Sequence, residues 1–215
     1  MPDGEWLVAD SQTAGRGRLG REWRDGAGNF MGSTTAAILP SDPAAPTLAL
    51  VAGLALHETL KALAPGAGNY ALKWPNDVLL DNAKLAGVLL ERAGDHVVIG
   101  IGVNLVAAPD LPDRTTVALA DHMPEPPQRD AFAATLAEAF AVEFARWRQF
   151  GLGPLLSRWH AAAHPVGTIL RVLEPGGRQI EGTYDGLAED GALRLRLASG
   201  AMRAIHAGDV SLGPA

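Results

Sequence analysis

Residues 73–87 read Lys-Trp-Pro-Asn-Asp-Val-Leu-Leu-Asp-Asn-Ala-Lys-Leu-Ala-Gly, a run that combines two lysines, a proline and short apolar segments. It lies among four short apolar runs that predict strands, at residues 70–74, 78–80, 85–91 and 97–105. The short connections between these runs predict antiparallel hairpins. If residues 73–91 form a hairpin, Lys73 and Lys84 point into one pocket, where two ammonium groups can neutralise a phosphate.

Two polar residues, Asn76 and Asp77, follow the proline of this stretch. Capping a turn is the commonest use of such side chains. They are equally suited to hold the edge of an adenine or a magnesium ion, which prefers one or two carboxylates together with substrate phosphates. The residues alone leave these roles open.

A second motif, Ala14-Gly-Arg-Gly-Arg-Leu-Gly-Arg21, brings three glycines and three arginines together after a predicted strand at 5–10. Glycine lets a backbone approach an anion, and each arginine offers a planar fork of donors to phosphate or carboxylate. The pattern predicts an anion-binding loop whose closure excludes water from a reactive intermediate. A solvated turn and an RNA-binding patch are the alternatives. Trp23 adds a flat face for stacking on a base, or fills the core.

A third motif, Gly100-Ile-Gly-Val-Asn104, ends the fourth predicted strand with two positions that lack side chains and with an amide. Glycines there open space for a ligand, although a bulge or a tight backbone crossing explains them equally well in isolation. The combination of the three motifs therefore matters more than any one of them.

The rest of the chain predicts an α+β protein in two parts. A strand at 29–39 precedes a helix at 47–64, and apolar residues recur at helical spacing over 129–147, before a last helix at 154–163. Beyond residue 165 the pattern changes to alternation with frequent glycines, which predicts four or five short strands in a small barrel or curled sheet. We expect a mixed β-sheet with flanking helices over residues 1–164 and the small barrel over 165–215.

Composition narrows the class of protein. The 215 residues include no cysteine, which excludes a thiolate nucleophile, a thiolate zinc site and a disulfide framework, and fits a reducing compartment. A net charge of −6 argues against general nucleic-acid binding, which needs a surplus of Lys and Arg. The first residues show no basic segment followed by an apolar core, so we expect no signal peptide, and no apolar run reaches the roughly 18 residues that cross a bilayer. We expect a cytoplasmic protein that binds neither nucleic acid nor membrane.

Four motifs follow one another in a characteristic order: Gln-x-Ala-Gly-Arg-Gly-Arg-x-Gly-Arg-x-Trp at 12–23, Lys-Trp-Pro-Asn-Asp at 73–77, Lys-Leu-Ala-Gly at 84–87 and Gly-x-Gly-x-Asn-Leu at 100–105. Together they closely resemble bacterial biotin protein ligases, from about residue 6 to the end of the chain. The resemblance implies a class II aminoacyl-tRNA synthetase-like catalytic domain that binds biotin and ATP over 1–164, and an SH3-like barrel over 165–215. It implies a ligase that uses ATP and Mg²⁺ to form biotinyl-5'-AMP from biotin, and then transfers biotin to a lysine of a biotin carboxyl carrier protein.

The resemblance also implies roles for individual residues. The catalytic residues would be Lys84, Arg18 and Arg16. Biotin would be bound by Gln12, Gly15, Arg16, Arg18, Lys84, Gly87 and Gly100. ATP would be bound by Arg18, Arg21, Trp23, Lys73, Asn76, Lys84 and Asn104. Gly102 would leave room for the ligand, and Asp77 would hold the magnesium ion.

This sequence departs from the family in two places. Such ligases usually begin with a strand, a Ser-Thr-Asn stretch and a helix ahead of the position of Trp6; that segment is absent here, which places biotin affinity in doubt. Leu19 stands where the family often has a further arginine. Because no helix-turn-helix precedes Trp6, we predict no DNA-binding domain. We expect a monomer or a homodimer.

Two other functions stay open at this point. A lipoate protein ligase shares the fold and the adenylate chemistry, although the arginine-rich loop and the Lys-Trp-Pro-Asn-Asp motif favour biotin. A non-catalytic binding module would keep the fold without turnover. The related octanoyl transferases use a cysteine, which this chain does not have.

Overall fold

The larger sheet holds six strands. The computed structural model describes residues 4–24 and 26–213. The strands are β1 (Trp6–Val8), β2 (Phe30–Ala37), β3 (Tyr70–Lys73), β4 (Asp77–Leu80), β5 (Ala83–Ala93) and β6 (His96–Val103). Their order across the sheet is β1-β2-β6-β5-β4-β3, and every ladder between neighbours is antiparallel. The hairpins predicted from the four apolar runs are therefore confirmed.

Two strands of this sheet also form isolated parallel bridges with residues outside the named strands. Leu72 on β3 pairs in parallel with Ala163, and Lys84 on β5 pairs in parallel with Thr116. The second bridge carries two backbone hydrogen bonds, from Lys84 N to Thr115 O at 2.9 Å and from Val117 N to Lys84 O at 3.0 Å. The sheet is mixed in this limited sense, and the loop before Val117 is fixed against β5.

Three helices cover one face of the sheet: α1 (Leu48–Leu63), α2 (Arg129–Phe150) and α3 (Leu152–Ala162). Helix α1 is buried along most of its length because it contacts β3 to β6 as well as both other helices. The apolar stripe predicted on α2 packs against it, with Phe132, Leu136, Phe140 and Trp147 buried. Each buried leucine of α1, such as Leu56, contributes roughly 2 kcal/mol to folding. None of the helices in the described residues has the length and hydropathy that a membrane crossing needs.

A second, smaller sheet follows the helices. Its strands are β7 (Ile169–Leu173), β8 (Gln179–Leu187), β9 (Leu193–Arg196), β10 (Met202–Ile205) and β11 (Asp209–Leu212), in the order β10-β9-β8-β7-β11. Alternate residues such as Leu193 and Leu195 are buried, as the alternating pattern predicts. The boundary proposed at 164/165 falls in the connection between α3 and β7.

Two hydrogen bonds join the smaller sheet to the hairpin at 70–80. Nε1 of Trp74 donates to the carbonyl oxygen of Gly191 at 3.0 Å, and Nζ of Lys73 donates to that of Val210 at 2.6 Å. The smaller sheet is thereby held beside the end of β3 and the start of β4, where the polar residues of the Lys-Trp-Pro-Asn-Asp motif lie.

Candidate active site

A buried carboxylate between two lysines forms the centre of the candidate site. Asp77 is 6% exposed, and its Oδ2 and Oδ1 lie 3.0 Å from Nζ of Lys73 and 2.6 Å from Nζ of Lys84. Lys73 faces Asp77 across the β3–β4 ladder, so the first contact follows from the hairpin itself.

The second contact depends on an irregularity in the β4–β5 ladder. Asp77 pairs with Gly87 and Val78 with Ala86, but Leu79 then pairs with Lys84, so that Leu85 is an extra residue on β5. Without this bulge, the alternation of side chains would turn Lys84 away from the face that carries Asp77. The bulge therefore brings the two lysines of the hairpin to one carboxylate.

The two lysines keep Asp77 ionised. Burial raises the pKa of this carboxyl group, but the charges of Lys73 and Lys84 outweigh burial and hold the pKa well below its ordinary value. The cluster thus carries two positive charges and one negative charge. The surplus positive charge is what a site for an anionic substrate requires.

The indole of Trp23 lies against a pair of glycines on the sheet. Gly87 on β5 pairs with Gly102 on β6. A methyl group at Gly102 would come within 2.3 Å of Cζ2 of Trp23, and one at Gly87 within 3.4 Å of Cζ3. The ring approaches the sheet this closely because Gly102 lacks a side chain, whereas a methyl group at Gly87 would make only an ordinary contact with the ring. Nζ of Lys84 lies 5.8 Å from the ring centroid, within range of a cation–π interaction.

The glycine–arginine loop, residues 14–21, reaches from the larger sheet to the smaller one. Arg18 donates from Nη1 to Oδ1 of Asn76 at 3.1 Å and from Nη2 to the carbonyl oxygen of Gly208 at 3.2 Å. Arg21 donates from Nη1 and Nη2 to the two carboxylate oxygens of Asp209, at 3.1 and 2.5 Å. The two arginines expected to hold phosphate are therefore placed by the turn between β3 and β4 and by residues at the start of β11.

The surroundings affect these two guanidinium groups in opposite directions. Burial lowers the pKa of Arg18, and the charges of Asp77 and Asp209 oppose that effect. The hydrogen bond with Asp209 raises the pKa of Arg21. Because an arginine pKa starts above 12, both groups remain cationic near pH 7.

A cavity of about 280 Å³ lies between this loop and the loop at 109–116, and we call it the first cavity. Trp23, Asn76, Lys84 and Asn104 line it, as the resemblance implies for a nucleotide, and so does Gly87, which the resemblance assigns to biotin. Asn104 is buried and donates to Val117 O at 3.2 Å. Its Oδ1 has no hydrogen-bond partner among the described residues, which leaves an acceptor suited to the amino group of an adenine.

Some expected site residues lie outside this cavity. The side chain of Arg16 is 70% exposed and pairs with Glu91 at 3.5 Å. Gln12 is exposed and lies beside Gly15, where a methyl group would also come within 2.4 Å of the carbonyl oxygen of Trp23. A methyl group at Gly100 would meet no atom closer than 3.8 Å, which is an ordinary van der Waals distance, so that position can accept a small side chain.

The position of Asp77 bears on its predicted magnesium role. Both carboxylate oxygens lie within contact distance of a lysine ammonium group, so a metal ion on Asp77 would have to displace a lysine. Within residues 4–24 and 26–213, no cluster of three or more His, Cys, Asp or Glu side chains is arranged to hold a metal ion. The magnesium role of Asp77 stays a prediction.

Sequence reasoning missed several charged residues at the site, among them Arg114 and Asp209. Both line the first cavity, together with residues of the recognised motifs. Asp209 lies 188 positions from its partner Arg21, and Arg114 lies in a proline-containing loop without a recognisable pattern. Only the packing of the loops and the second sheet reveals either residue.

Comparison with known proteins places the chain in a family. Residues 1–104 match the Biotin/lipoate A/B protein ligase family, and residues 168–213 match the Biotin protein ligase C terminal domain. A biotin--[acetyl-CoA-carboxylase] ligase of Paracoccus denitrificans is 37% identical over 97% of this chain and 90% of its own length. The chain belongs to the biotin protein ligase family. The family predicted from the four motifs is therefore confirmed.

Two further comparisons agree with membership of the biotin protein ligase family. A biotin--[acetyl-CoA-carboxylase] ligase of Mycobacterium tuberculosis is 35% identical over 97% of this chain and 79% of its own length. The structure of a biotin protein ligase from Aquifex aeolicus in complex with biotin and ATP superposes with a TM-score of 0.86 at 26% identity, and the match covers 100% of this chain and 91% of that one. The predicted α+β catalytic fold with a small C-terminal sheet is confirmed.

Proposed function

We propose that this protein forms biotinyl-5'-AMP from biotin and ATP and transfers the biotinyl group to a lysine of a biotin carboxyl carrier protein or carrier domain. The observation that carries the proposal is the Lys73–Asp77–Lys84 cluster, whose Asp77 and Lys84 line the first cavity together with Arg18 and Arg21 of the glycine–arginine loop. The names of the relatives above support the same substrates.

The first half-reaction joins two anions. A carboxylate oxygen of biotin attacks the α-phosphorus of ATP, an oxygen–phosphorus bond forms, and pyrophosphate leaves with the electrons of the broken bond. Lys84 and Arg18 line the cavity where these charges must meet, and their cationic groups stabilise the added negative charge. Asp77 holds Nζ of Lys84 at 2.6 Å, so the ammonium group is positioned before the substrates arrive.

The second half-reaction transfers the acyl group. The neutral amine of the carrier lysine attacks the carbonyl carbon of the mixed anhydride, an amide bond forms, AMP leaves, and the amine proton passes to solvent. This route needs no covalent intermediate on the enzyme, which agrees with a chain that contains no cysteine. The glycine–arginine loop limits hydrolysis because it covers the cavity beside Trp23.

Nucleotide recognition involves both walls of the first cavity. Trp23 offers an indole face for stacking, and Asn104 offers its unpartnered Oδ1 to the adenine amino group. Magnesium, when bound, neutralises charge on the ATP phosphates, which supply most of its oxygen ligands. We propose that the protein acts in the cytoplasm as a monomer or a homodimer, and that it has no nucleic-acid substrate.

The direct test compares two of the three lysines of the chain, Lys61 and Lys84. The purified protein is incubated with ATP, Mg²⁺, biotin and a carrier domain, and the mass of the carrier is measured. We expect one biotinyl increment for the wild type and for Lys61→Ala, whose side chain is exposed on α1, and loss of labelling for Lys84→Ala.

Other outcomes favour the rival functions. Labelling with lipoate in place of biotin would assign the chain to lipoate ligation. Binding of biotin or ATP without labelling by either acid would favour a binding module. Equal labelling by the wild type and Lys84→Ala would contradict the role given to Lys84, but it would leave biotin, ATP and the carrier domain as the substrates.

A further inference from the structure

A second cavity adjoins the first beside Asp77 and Lys84. Its volume is about 500 Å³, and it runs between β4 and the strands β7 and β11 of the smaller sheet. The residues that line both cavities, and so mark the boundary between them, are Arg21, Asp77, Lys84, Asp113, Arg114 and Asp209. In the proposed reaction the α-phosphate of ATP lies beside Lys84, which is at this boundary. The phosphates beyond it would then extend into the second cavity.

The second cavity concentrates positive charge in an acidic protein. Five cationic side chains line it against three carboxylates, while the chain as a whole has a net charge of −6. The cations are Arg21, Lys73, Lys84, Arg114 and Arg171. This surplus suits the β- and γ-phosphates of ATP, which leave together as pyrophosphate.

Arg114 lies at the boundary and retains free hydrogen-bonding capacity. Its Nη2 lies 2.6 Å from Oδ2 of Asp113, and its Nε lies 3.2 Å from the same oxygen. Its Nη1 has no hydrogen-bond partner in the part of the chain that the structure describes. The side chain is 21% exposed, while that of Asp113 is 51% exposed, so water screens the pair and its loss costs little free energy.

The backbone holds Arg114 in a defined place relative to Lys84. Arg114 closes a turn with Leu111, and the next residue, Thr115, accepts the hydrogen bond from Lys84 N at 2.9 Å. The loop that carries Arg114 is therefore bonded to the residue that carries the ammonium group. Backbone hydrogen bonds between these two segments thus hold both cations at the boundary of the two cavities.

We propose that Arg114 binds the pyrophosphate portion of ATP and stabilises it as the leaving group, by exchanging Asp113 for phosphate oxygens. The inference rests on the proposed function and deepens it. It assigns Arg114 to the first half-reaction alone, because pyrophosphate is absent when the carrier lysine attacks the adenylate.

The two half-reactions can be measured separately. Formation of biotinyl-5'-AMP is followed from biotin and ATP, and its reversal from biotinyl-5'-AMP and inorganic pyrophosphate; transfer is followed from supplied biotinyl-5'-AMP to a carrier domain. For Arg114→Gln we expect the KM values for ATP and for pyrophosphate to rise at least about tenfold, as for the loss of one charge-assisted contact. Transfer from supplied adenylate should stay within about twofold of the wild type.

Matched variants guard against a merely structural effect. Arg92→Gln removes an exposed arginine outside both cavities, and Arg114→Lys keeps the charge and should recover part of the pyrophosphate affinity. An Arg114→Gln variant with unchanged KM values, or one in which both half-reactions fall by the same factor, would overturn the inference. Loss of transfer alone would do so too, because it would assign Arg114 to the carrier. If the wild type itself neither makes nor uses biotinyl-5'-AMP, the proposed function fails instead.

Discussion

Arg21 and Asp209 form a two-point ion pair, at 3.1 and 2.5 Å, between residues 188 positions apart. The pair joins the glycine–arginine loop to the first residue of β11. The same loop is held to the neighbouring residue through Arg18 and the carbonyl oxygen of Gly208. The smaller sheet is thus part of the wall that encloses the first cavity, and the closed position of the loop depends on it.

We expect Asp209→Asn to loosen this loop. The pair is partly exposed, so its loss costs only about 0.5–1 kcal/mol, which corresponds to a few-fold change in the open fraction of the loop. Enzyme-bound biotinyl-5'-AMP should then hydrolyse about threefold faster, which a time course of adenylate decay in the absence of carrier measures. Asp185→Asn is the matched control, because its ion pairs with Arg194 and Arg196 lie within the smaller sheet. Equal decay rates in the wild type and Asp209→Asn would show that the ion pair does not keep the loop closed.

Removing the carboxylate between the two lysines should affect both stability and catalysis. Asp77→Asn leaves Lys73 and Lys84 largely buried without their counter-ion, and we expect the free energy of unfolding to fall by roughly 3 kcal/mol. The rate of adenylate formation should fall by more than the loss of folded protein explains, because Asp77 no longer positions Lys84. Urea unfolding and adenylate formation at matched folded fractions check this. Asp42→Asn, which breaks the ion pair of a buried carboxylate with the partly exposed Arg148 outside both cavities, should destabilise the protein but leave the activity of the folded molecules unchanged.

The pH dependence of the Asp77 contribution has a definite sign. The folded-state pKa of Asp77 lies below its unfolded value, so its stabilisation is fully present above pH of about 4 and is lost as pH falls through the folded pKa. The difference in unfolding free energy between the wild type and Asp77→Asn should therefore be constant from neutral pH down to about pH 5 and shrink in stronger acid. A difference that grows on acidification would contradict an ionised, lysine-bound Asp77.

A histidine beside the same cluster should add its own acid sensitivity. His164 is 7% exposed, and burial together with the charge of Lys73 lowers its pKa to about 4. Between pH 6.5 and about 4 the unfolded chain takes up a proton that the folded protein does not, so stability falls by up to roughly 3 kcal/mol over that interval. Unfolding at several pH values should show a weaker dependence in His164→Gln than in the wild type. His206→Gln, at an exposed position, should retain the full dependence.

The close approach of Trp23 to Gly102 predicts that Gly102→Ala and Gly100→Ala have different effects, although each adds only one methyl group. A methyl group at Gly102 would meet the indole at 2.3 Å, whereas at Gly100 it would meet nothing closer than 3.8 Å. We expect Gly102→Ala to displace the ring, to cost roughly 1–3 kcal/mol of stability and to raise the KM for ATP. Gly100→Ala should leave the stability and the KM for ATP close to those of the wild type. Thermal unfolding and ATP kinetics on both variants check this, and equal effects would show that Trp23 does not require the gap at Gly102.

Short-range pattern in the sequence determined the elements of the fold and the family. The hairpins at 70–103, the apolar stripe of α2 and the alternating strands after residue 165 all follow from spacings of two to four residues along the chain. The motifs around Arg18, Lys73 and Lys84 likewise lie in short runs of sequence, and they identify the family without any contact being known.

Tertiary structure decided which charges meet. The bulge at Leu85 turns Lys84 toward Asp77, and a one-residue shift of register of this kind leaves no mark in the hydrophobic pattern. Arg16, which its motif groups with Arg18, instead lies outside the cavity against Glu91. Asp209 and Arg114 join the site from distant segments of the chain. Contacts between residues far apart in sequence depend on how whole sheets and loops pack, and the spacing of residues along the chain does not predict that packing.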